Sequence, residues 1–320
     1  MEDKILLNPE DLATRLKHDN VVLIDTRDTD SFEAGHIEGA VNAHDIFTFL
    51  ATSDSEGQKE LQTKFAKIFG DAGLSGKELA VVYEQSMETG FGQSCRGYFL
   101  LKFFGYPRTA VLHGGYKAWT DAGFPTTKEV SVPPHKSFPI DPEAASLIVD
   151  AETMLKSLQD PDIVKLDVRD VDEWIGVSSS PYSADFCPRK GRIPGARWLE
   201  WYRMMKPGLH GQVFKSKNEI LAECQTVGIT PDTPVILYCF KGARTSNTFI
   251  ALKEAGVKDV QTYFGSWNEW SRDPALPIEE GFPDWSKLDG EASSQPNQRQ
   301  ENKRSKRQSK HAGQIHQQME

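Results

Sequence analysis

Cysteine is scarce in this chain: Cys95, Cys187, Cys224 and Cys239 are the four in 320 residues. They are widely scattered and form no C-x-x-C pair. That excludes a dense disulfide framework and predicts reduced thiols in a cytoplasmic protein. Long apolar runs are missing too. None approaches the roughly 20 residues that cross a bilayer, so no membrane association is expected. The first residues, MEDKILLNPEDLATRLKHD, lack an apolar segment and carry several acids, which fits neither a signal nor a transit peptide. An excess of positive charge is absent as well. With 37 Lys and Arg against 46 Asp and Glu, the net charge of −9 argues against general nucleic-acid binding. Any anionic substrate must then be drawn in by a local basic cluster. No His, Cys, Asp and Glu cluster has ligand spacing, so neither a metal nor a cofactor is expected.

What the chain does have is one unit written twice. VVLIDTRDTDSFEAGHIEGAVN, from Val21, matches IVKLDVRDVDEWIG…GRIPGARW, from Ile163. AVVYEQS, from Ala80, matches VILYCFK, from Val235. FGYPRTAVLHGGYKAWTDAGFP, from Phe104, matches AGVKDVQTYFGSWNEWSRDPALP, from Ala255. The shared order predicts two homologous domains, 1–127 and 147–286, joined by a proline-bearing linker at 128–146. Beyond them, 287–320 is rich in Gln, Ser, Lys and Arg and is read as a disordered tail. Within each copy, short β-branched runs alternate with helical patterns such as KNEILAECQTVG and ARTSNTFIALKEAG. Asn8 and Pro9 mark a helix start. The predicted fold class is α/β, each domain a mainly parallel sheet flanked by helices.

Chemistry concentrates at VILYCFKGARTS. Cys239 ends a predicted strand, and a helix starts a few residues later. Ligands of open α/β sheets bind at that carboxyl edge. The loop residues Phe240, Lys241, Gly242, Ala243 and Arg244 can curl their amides into an anion cradle beneath the positive end of the helix. A thiolate would be favoured there, lowering the cysteine's pKa and raising its nucleophilicity. Lys241 and Arg244 would add positive charge, and Gly242 would permit a positive φ. The plain alternative is a buried cysteine followed by a basic surface loop. Four residues separate Cys239 from Arg244, one fewer than in cysteine phosphatases. The tighter ring suits a single sulfur atom better than a phosphate. The first copy places Glu84 opposite Cys239, so the fold does not itself require a cysteine there. Cys95 falls opposite Ser246, inside a helix. The first copy is therefore expected to be catalytically silent.

Together the paired D-x-R blocks, the paired G-[HR]-I-x-G-A blocks, the CFKGAR loop and FGSWNEW give the chain a clear likeness. It resembles the tandem-domain rhodanese family, the thiosulfate and 3-mercaptopyruvate sulfurtransferases, over about residues 5–285. The resemblance implies paired rhodanese folds and a persulfide on Cys239, filled from a small-molecule sulfur donor and emptied by a thiophilic acceptor such as cyanide or a thiol. It also implies a donor-binding arginine in the segment that lengthens the second copy, where Asp167 to Gly191 spans 24 positions against 10 for Asp25 to Gly35. Arg189 is the match, and Tyr182, Cys187 and Lys190 lie in the same segment. Arg192 stands where the first copy has His36 and is a second candidate. Asp25 and Arg27, like Asp167 and Arg169, occur in both copies and are read as structural, as are Trp119 and Trp270. Lys241 and Arg244 favour thiosulfate. Two alternatives stay open: a 3-mercaptopyruvate sulfurtransferase with Arg189 and Arg192 on the carboxylate, and a persulfide carrier or redox interaction protein that docks through its tail. The tandem arrangement makes a monomer the default.

Overall fold

The protein is described by a computed structural model covering residues 4–282; the tail expected at 287–320 lies outside the described residues. Each copy folds into a five-stranded parallel sheet. The first is built from β1 (Leu6–Leu7), β2 (Val21–Asp25), β3 (Val41–Asn42), β4 (Leu79–Tyr83) and β5 (Thr109–Leu112), in the order β1-β5-β4-β2-β3. The second contains β6 (Ile148–Val149), β7 (Val164–Asp167) and β8 (Arg197–Trp198). An antiparallel hairpin of β9 (Met205–Gly208) and β10 (Gly211–Phe214) follows, then β11 (Val235–Tyr238) and β12 (Val260–Tyr263). Its sheet order, β6-β12-β11-β7-β8, is that of the first sheet once strands are matched by sequence.

Local sequence explains these elements. The central strands LAVVY and VILY are buried along their whole length, which parallel strands covered by helices on both faces require. Asn8 caps the first helix by accepting the Asp11 amide at 2.7 Å, with Pro9 at the first helical position. The helix Lys217–Gln225 starts with a Ser216–Glu219 capping box. The helix Ala243–Ala255 ends on Gly256 with φ +91°.

The two D-x-R blocks do one structural task. Arg27 pairs with Asp25 and donates to the Gly35 carbonyl at 2.7 Å; Arg169 pairs with Asp167 and donates to the Gly191 carbonyl at 2.8 Å. Each pair ties its strand end to the start of the G-[HR]-I-x-G segment, and all four side chains are buried. Trp119 and Trp270 are core residues, as expected.

The largest apolar cluster does not respect the repeat. It joins Phe99 and Phe103 of the first copy to Phe249, Ile250 and Phe264 of the second. Phe99 packs edge-on against Phe249 at 5.1 Å and stacks on Phe264 at 5.6 Å. A polar seam runs beside it: Ser53 donates its amide and hydroxyl to Glu269 at 2.8 and 2.6 Å. The segment 133–141 lies along the first copy, with Phe138 against Phe69, Phe104 and Tyr106. Truncating a fully buried phenylalanine costs about 3–5 kcal/mol. Phe99→Ala should therefore lower the free energy of denaturant unfolding by that amount in one shared transition for both copies. Two separate transitions, with only the first displaced, would contradict a shared core.

Candidate functional site

Strand β11 delivers Cys239 to the carboxyl edge of the second sheet, and the helix Ala243–Ala255 begins four residues later. Gly242 makes the turn with φ +95°, and a Cβ there would meet the Phe264 ring at 2.8 Å, so only glycine fits. Its amide donates to the Cys239 sulfur at 3.2 Å. The Gly242 carbonyl is turned away, held by the hydroxyls of Thr245 and Ser246 at 2.9 and 2.6 Å. The loop thus faces the sulfur with the Gly242 donor and turns that residue's acceptor away. Ala243 opens the helix and is buried. From below, the Cys239 amide donates to the Ser266 hydroxyl at 3.2 Å. The Cys239 and Phe240 carbonyls accept from the Trp267 and Asn268 amides at 2.9 and 3.1 Å.

The loop's cations differ sharply. Lys241 makes no ion pair among the described residues; its ammonium lies over the rings of Phe47 at 3.9 Å, Tyr182 at 5.0 Å and Phe240 at 6.0 Å. Burial, with repulsion from Arg96 and Arg244, pulls it down to about 8. Arg244, expected to act with Lys241 on an anionic donor, is instead consumed. It makes a two-point contact with Glu173 at 2.5 and 3.1 Å and reaches Asp170 at 3.1 Å. That pairing also explains the acidic trio Asp170, Asp172 and Glu173, whose oxygens lie within 4.8 Å of one another. Two of its members, Asp170 and Glu173, are the counter-charge for Arg244.

The two arginines expected to bind the donor are also engaged by groups of the fold. Arg189 donates to the carbonyls of Trp270, Ser271 and Leu276 at 2.8, 2.9 and 2.9 Å, and to that of Asp273. It fastens the turn after the helix Ser266–Trp270. Arg192 pairs with Glu279 at 3.2 Å, donates to the Trp174 and Gly281 carbonyls and stacks on Trp174. His36, its counterpart, is bound between the Phe32 and Glu129 carbonyls. Tyr182 and Phe186, rather than the arginines, bring the inserted segment to the loop: their rings lie 4.9 and 6.3 Å from Phe240. All four cysteines are free and buried. Burial pushes Cys187 and Cys224 up to about 11, and Cys95 well above its ordinary range. An open cleft of about 440 Å³ between residues 50–52 and 268–273 includes neither Cys239 nor Lys241 in its walls.

The family model for the rhodanese-like domain matches twice, over residues 8–122 and 150–273. The chain belongs to the rhodanese-like family. Both copies are rhodanese domains. The thiosulfate sulfurtransferase of Azotobacter vinelandii is 28% identical over 279 residues, covering 86% of this chain and 97% of that protein. The thiosulfate sulfurtransferase of Pseudomonas aeruginosa is 27% identical with the same coverage. A sulfur carrier protein, TtuD of Thermus thermophilus, is 27% identical over 78% of this chain and 87% of its own length. Among solved structures, wild-type EanB superposes with a TM-score of 0.73 at 26% identity, over 87% of this chain and 70% of that one. These relatives place the protein among the sulfurtransferases of the rhodanese family. No helix among the described residues is long and apolar enough to cross a membrane.

Within this rhodanese pair, the first copy fills its own cradle. Glu84 follows β4 where Cys239 follows β11, and its carboxyl turns back beneath the amides of Gly92, Gln93 and Ser94. A Cβ on Gly90 would stand 2.1 Å from the carboxyl oxygen, so the loop is wrapped tightly around it. The backbone behind repeats: the Glu84 and Gln85 carbonyls accept from Tyr116 and Lys117 as those of Cys239 and Phe240 do from Trp267 and Asn268. Gly115, with φ +68°, becomes Ser266, with φ +54°. A serine held in that conformation carries strain that glycine avoids, and its hydroxyl is what orients the Cys239 amide. Sequence reasoning missed Ser266, Phe47 and Arg96. The exchange of HGGYKAW for FGSWNEW signalled the first, and a lone arginine in the apolar CRGYFLLKFF the last.

Burial outweighs the amides and pushes Glu84 up to about 7. A folded-state value above the ordinary carboxyl range means the native state holds the proton more tightly. The resulting stability is complete at acid pH and is lost as pH rises through about 7. Glu84→Gln keeps the shape without the charge. Thermal unfolding at pH 5.5 and pH 8 should find the variant losing about 1–3 kcal/mol less than the parent between the two. Equal losses would show that Glu84 does not carry this proton.

Proposed function

We propose that this rhodanese-family protein is a thiosulfate sulfurtransferase working through a persulfide on Cys239. The copy at 147–286 would perform the turnover, and the copy at 1–127 would have no nucleophile of its own. The observation that carries this reading is the contact of the Gly242 amide with the Cys239 sulfur at the mouth of a strand-to-helix turn, with the unpaired Lys241 beside it. The Cys239 thiolate attacks the outer sulfur of thiosulfate. The sulfur–sulfur bond of the donor breaks, sulfite leaves with the bonding pair, and the enzyme keeps Cys–S–S⁻. Lys241 meets the charge that grows on the departing sulfite, and the loop amides meet that on the persulfide. A thiophilic acceptor such as cyanide then attacks the outer sulfur, leaves as thiocyanate and returns the thiolate.

The names of the Azotobacter and Pseudomonas relatives support thiosulfate as donor. A 3-mercaptopyruvate reading relied on Arg189 and Arg192 to hold a carboxylate, and both guanidinium groups are committed elsewhere. A persulfide-carrier role is kept as a second reading because one relative is a sulfur carrier. Intact mass after thiosulfate treatment separates these ideas from inactivity. The parent should gain one sulfur atom, cyanide should remove it as thiocyanate, and Cys239→Ala should gain none. A gain that survives in Cys239→Ala, or no gain in the parent, contradicts the proposal. Faster loading from 3-mercaptopyruvate than from thiosulfate would transfer the assignment to the other donor. Rapid loading with slow release to cyanide but fast release to a protein thiol would favour the carrier.

A further inference from the structure

Arg96 stands on the first turn of the helix Gln93–Phe103, in the copy that has no nucleophile, and it is fully buried. Its terminal nitrogens donate to the carbonyls of Phe47 at 3.1 Å and Phe49 at 2.7 Å, and its plane lies over Phe264 at 4.8 Å. Its Nε has no partner. No carboxylate pairs with it among the described residues. Buried charges are ordinarily paired, because desolvation is too costly otherwise. Here burial pulls Arg96 down to about 10, and the opposite charge nearest to offsetting it is that of the Cys239 sulfur.

The second unpaired cation is Lys241. The groups that face it are Arg96 from the first copy, Arg244 and Cys239 from the second, and the rings of Phe47, Tyr182 and Phe240. Phe47 links the two cations, since Arg96 holds its carbonyl while its ring covers the Lys241 ammonium. Arg189, Arg192 and Arg244 are all committed to carbonyls or carboxylates. Two cations with no carboxylate partner among the described residues, one from each copy, therefore meet at Phe47, and Arg96 shares the Phe264 ring with Gly242 of the cysteine loop.

We propose that Arg96 is a positioning residue through which the first copy completes the site: with Lys241 it makes the surroundings of the Cys239 loop a receptor for a doubly charged oxyanion. That class includes the sulfonate end of a thiosulfate-like donor and the sulfite that leaves. The proposal takes its substrate from the sulfurtransfer reading, but its test does not depend on turnover.

Inorganic sulfate, an unreactive dianion, is titrated calorimetrically into the full chain carrying Cys239→Ala, at low ionic strength and at pH 7 and pH 9. The alanine keeps sulfur ionisation out of the result. Sulfate should bind at pH 7 and weaken about fivefold or more by pH 9, as Lys241, held down by burial and by the neighbouring Arg96 and Arg244, gives up its proton. Adding Arg96→Gln should weaken binding about tenfold at pH 7, and adding Arg96→Lys should leave it within about threefold. Equal affinity in the Gln variant and its parent, or equal losses in the Gln and Lys variants, overturns the proposal. Equal sulfate affinity at pH 7 and pH 9 in the parent overturns it without any change at Arg96, and so does an absence of binding. If sulfate behaves as expected while thiosulfate leaves no sulfur on Cys239, the receptor stands and the sulfurtransfer reading fails. If the persulfide forms while sulfate ignores Arg96, the reverse holds.

Discussion

A turn from a buried parallel strand into a helix leaves backbone amides pointing at one spot with nothing in the fold to accept them. That unmet demand for negative charge is the constraint on which both halves of this protein depend. The first copy meets it from within, by folding Glu84 under the amides of residues 92–94. The second meets it with the Cys239 sulfur, 3.2 Å from the Gly242 amide. The first copy runs a longer loop, Glu84 to Gly92, over a carboxyl, where the second makes the same turn from Cys239 to Gly242 around a sulfur.

The charges around that seat are sorted by whether they are already paired. Arg244 closes on Glu173 and Asp170 and fixes the helix to the D-x-R segment. Arg189 and Arg192 close on the turn and the extended segment that follow the last helix. Among the described residues Lys241 and Arg96 have no carboxylate partner, and both are held by aromatic rings or carbonyls that position a cation without cancelling it.

The sequence made the local features legible and hid the long-range ones. Asn8 as a cap, the doubled D-x-R ties and Cys239 at the strand end depend on neighbours a few residues away, and their patterns are visible in the letters. The fates of Arg189 and Arg244 depend on carbonyls and carboxylates 71 to 87 positions away, and that of Arg192 on Gly281, 89 positions away. Spacing carries no information about such contacts. Charge alone suggested donor contacts for three arginines whose guanidinium groups the fold engages with its own carbonyls and carboxylates. Arg96 was hidden for the opposite reason, because it belongs to the copy whose loop has no nucleophile. Only the helix-to-helix packing of the two copies, with the Gly92 position closed against the Ala243 carbonyl, brings it near Cys239.

The central claim is that the loop amides hold a transferred sulfur on Cys239. A crystal structure of the protein after exposure to thiosulfate tests it most directly. The account predicts one added atom bonded to the Cys239 sulfur and lying within hydrogen-bonding distance of the loop amides at Gly242 to Arg244. Added density on Cys95, Cys187 or Cys224 instead, or a sulfur on Cys239 directed away from those amides, would contradict it.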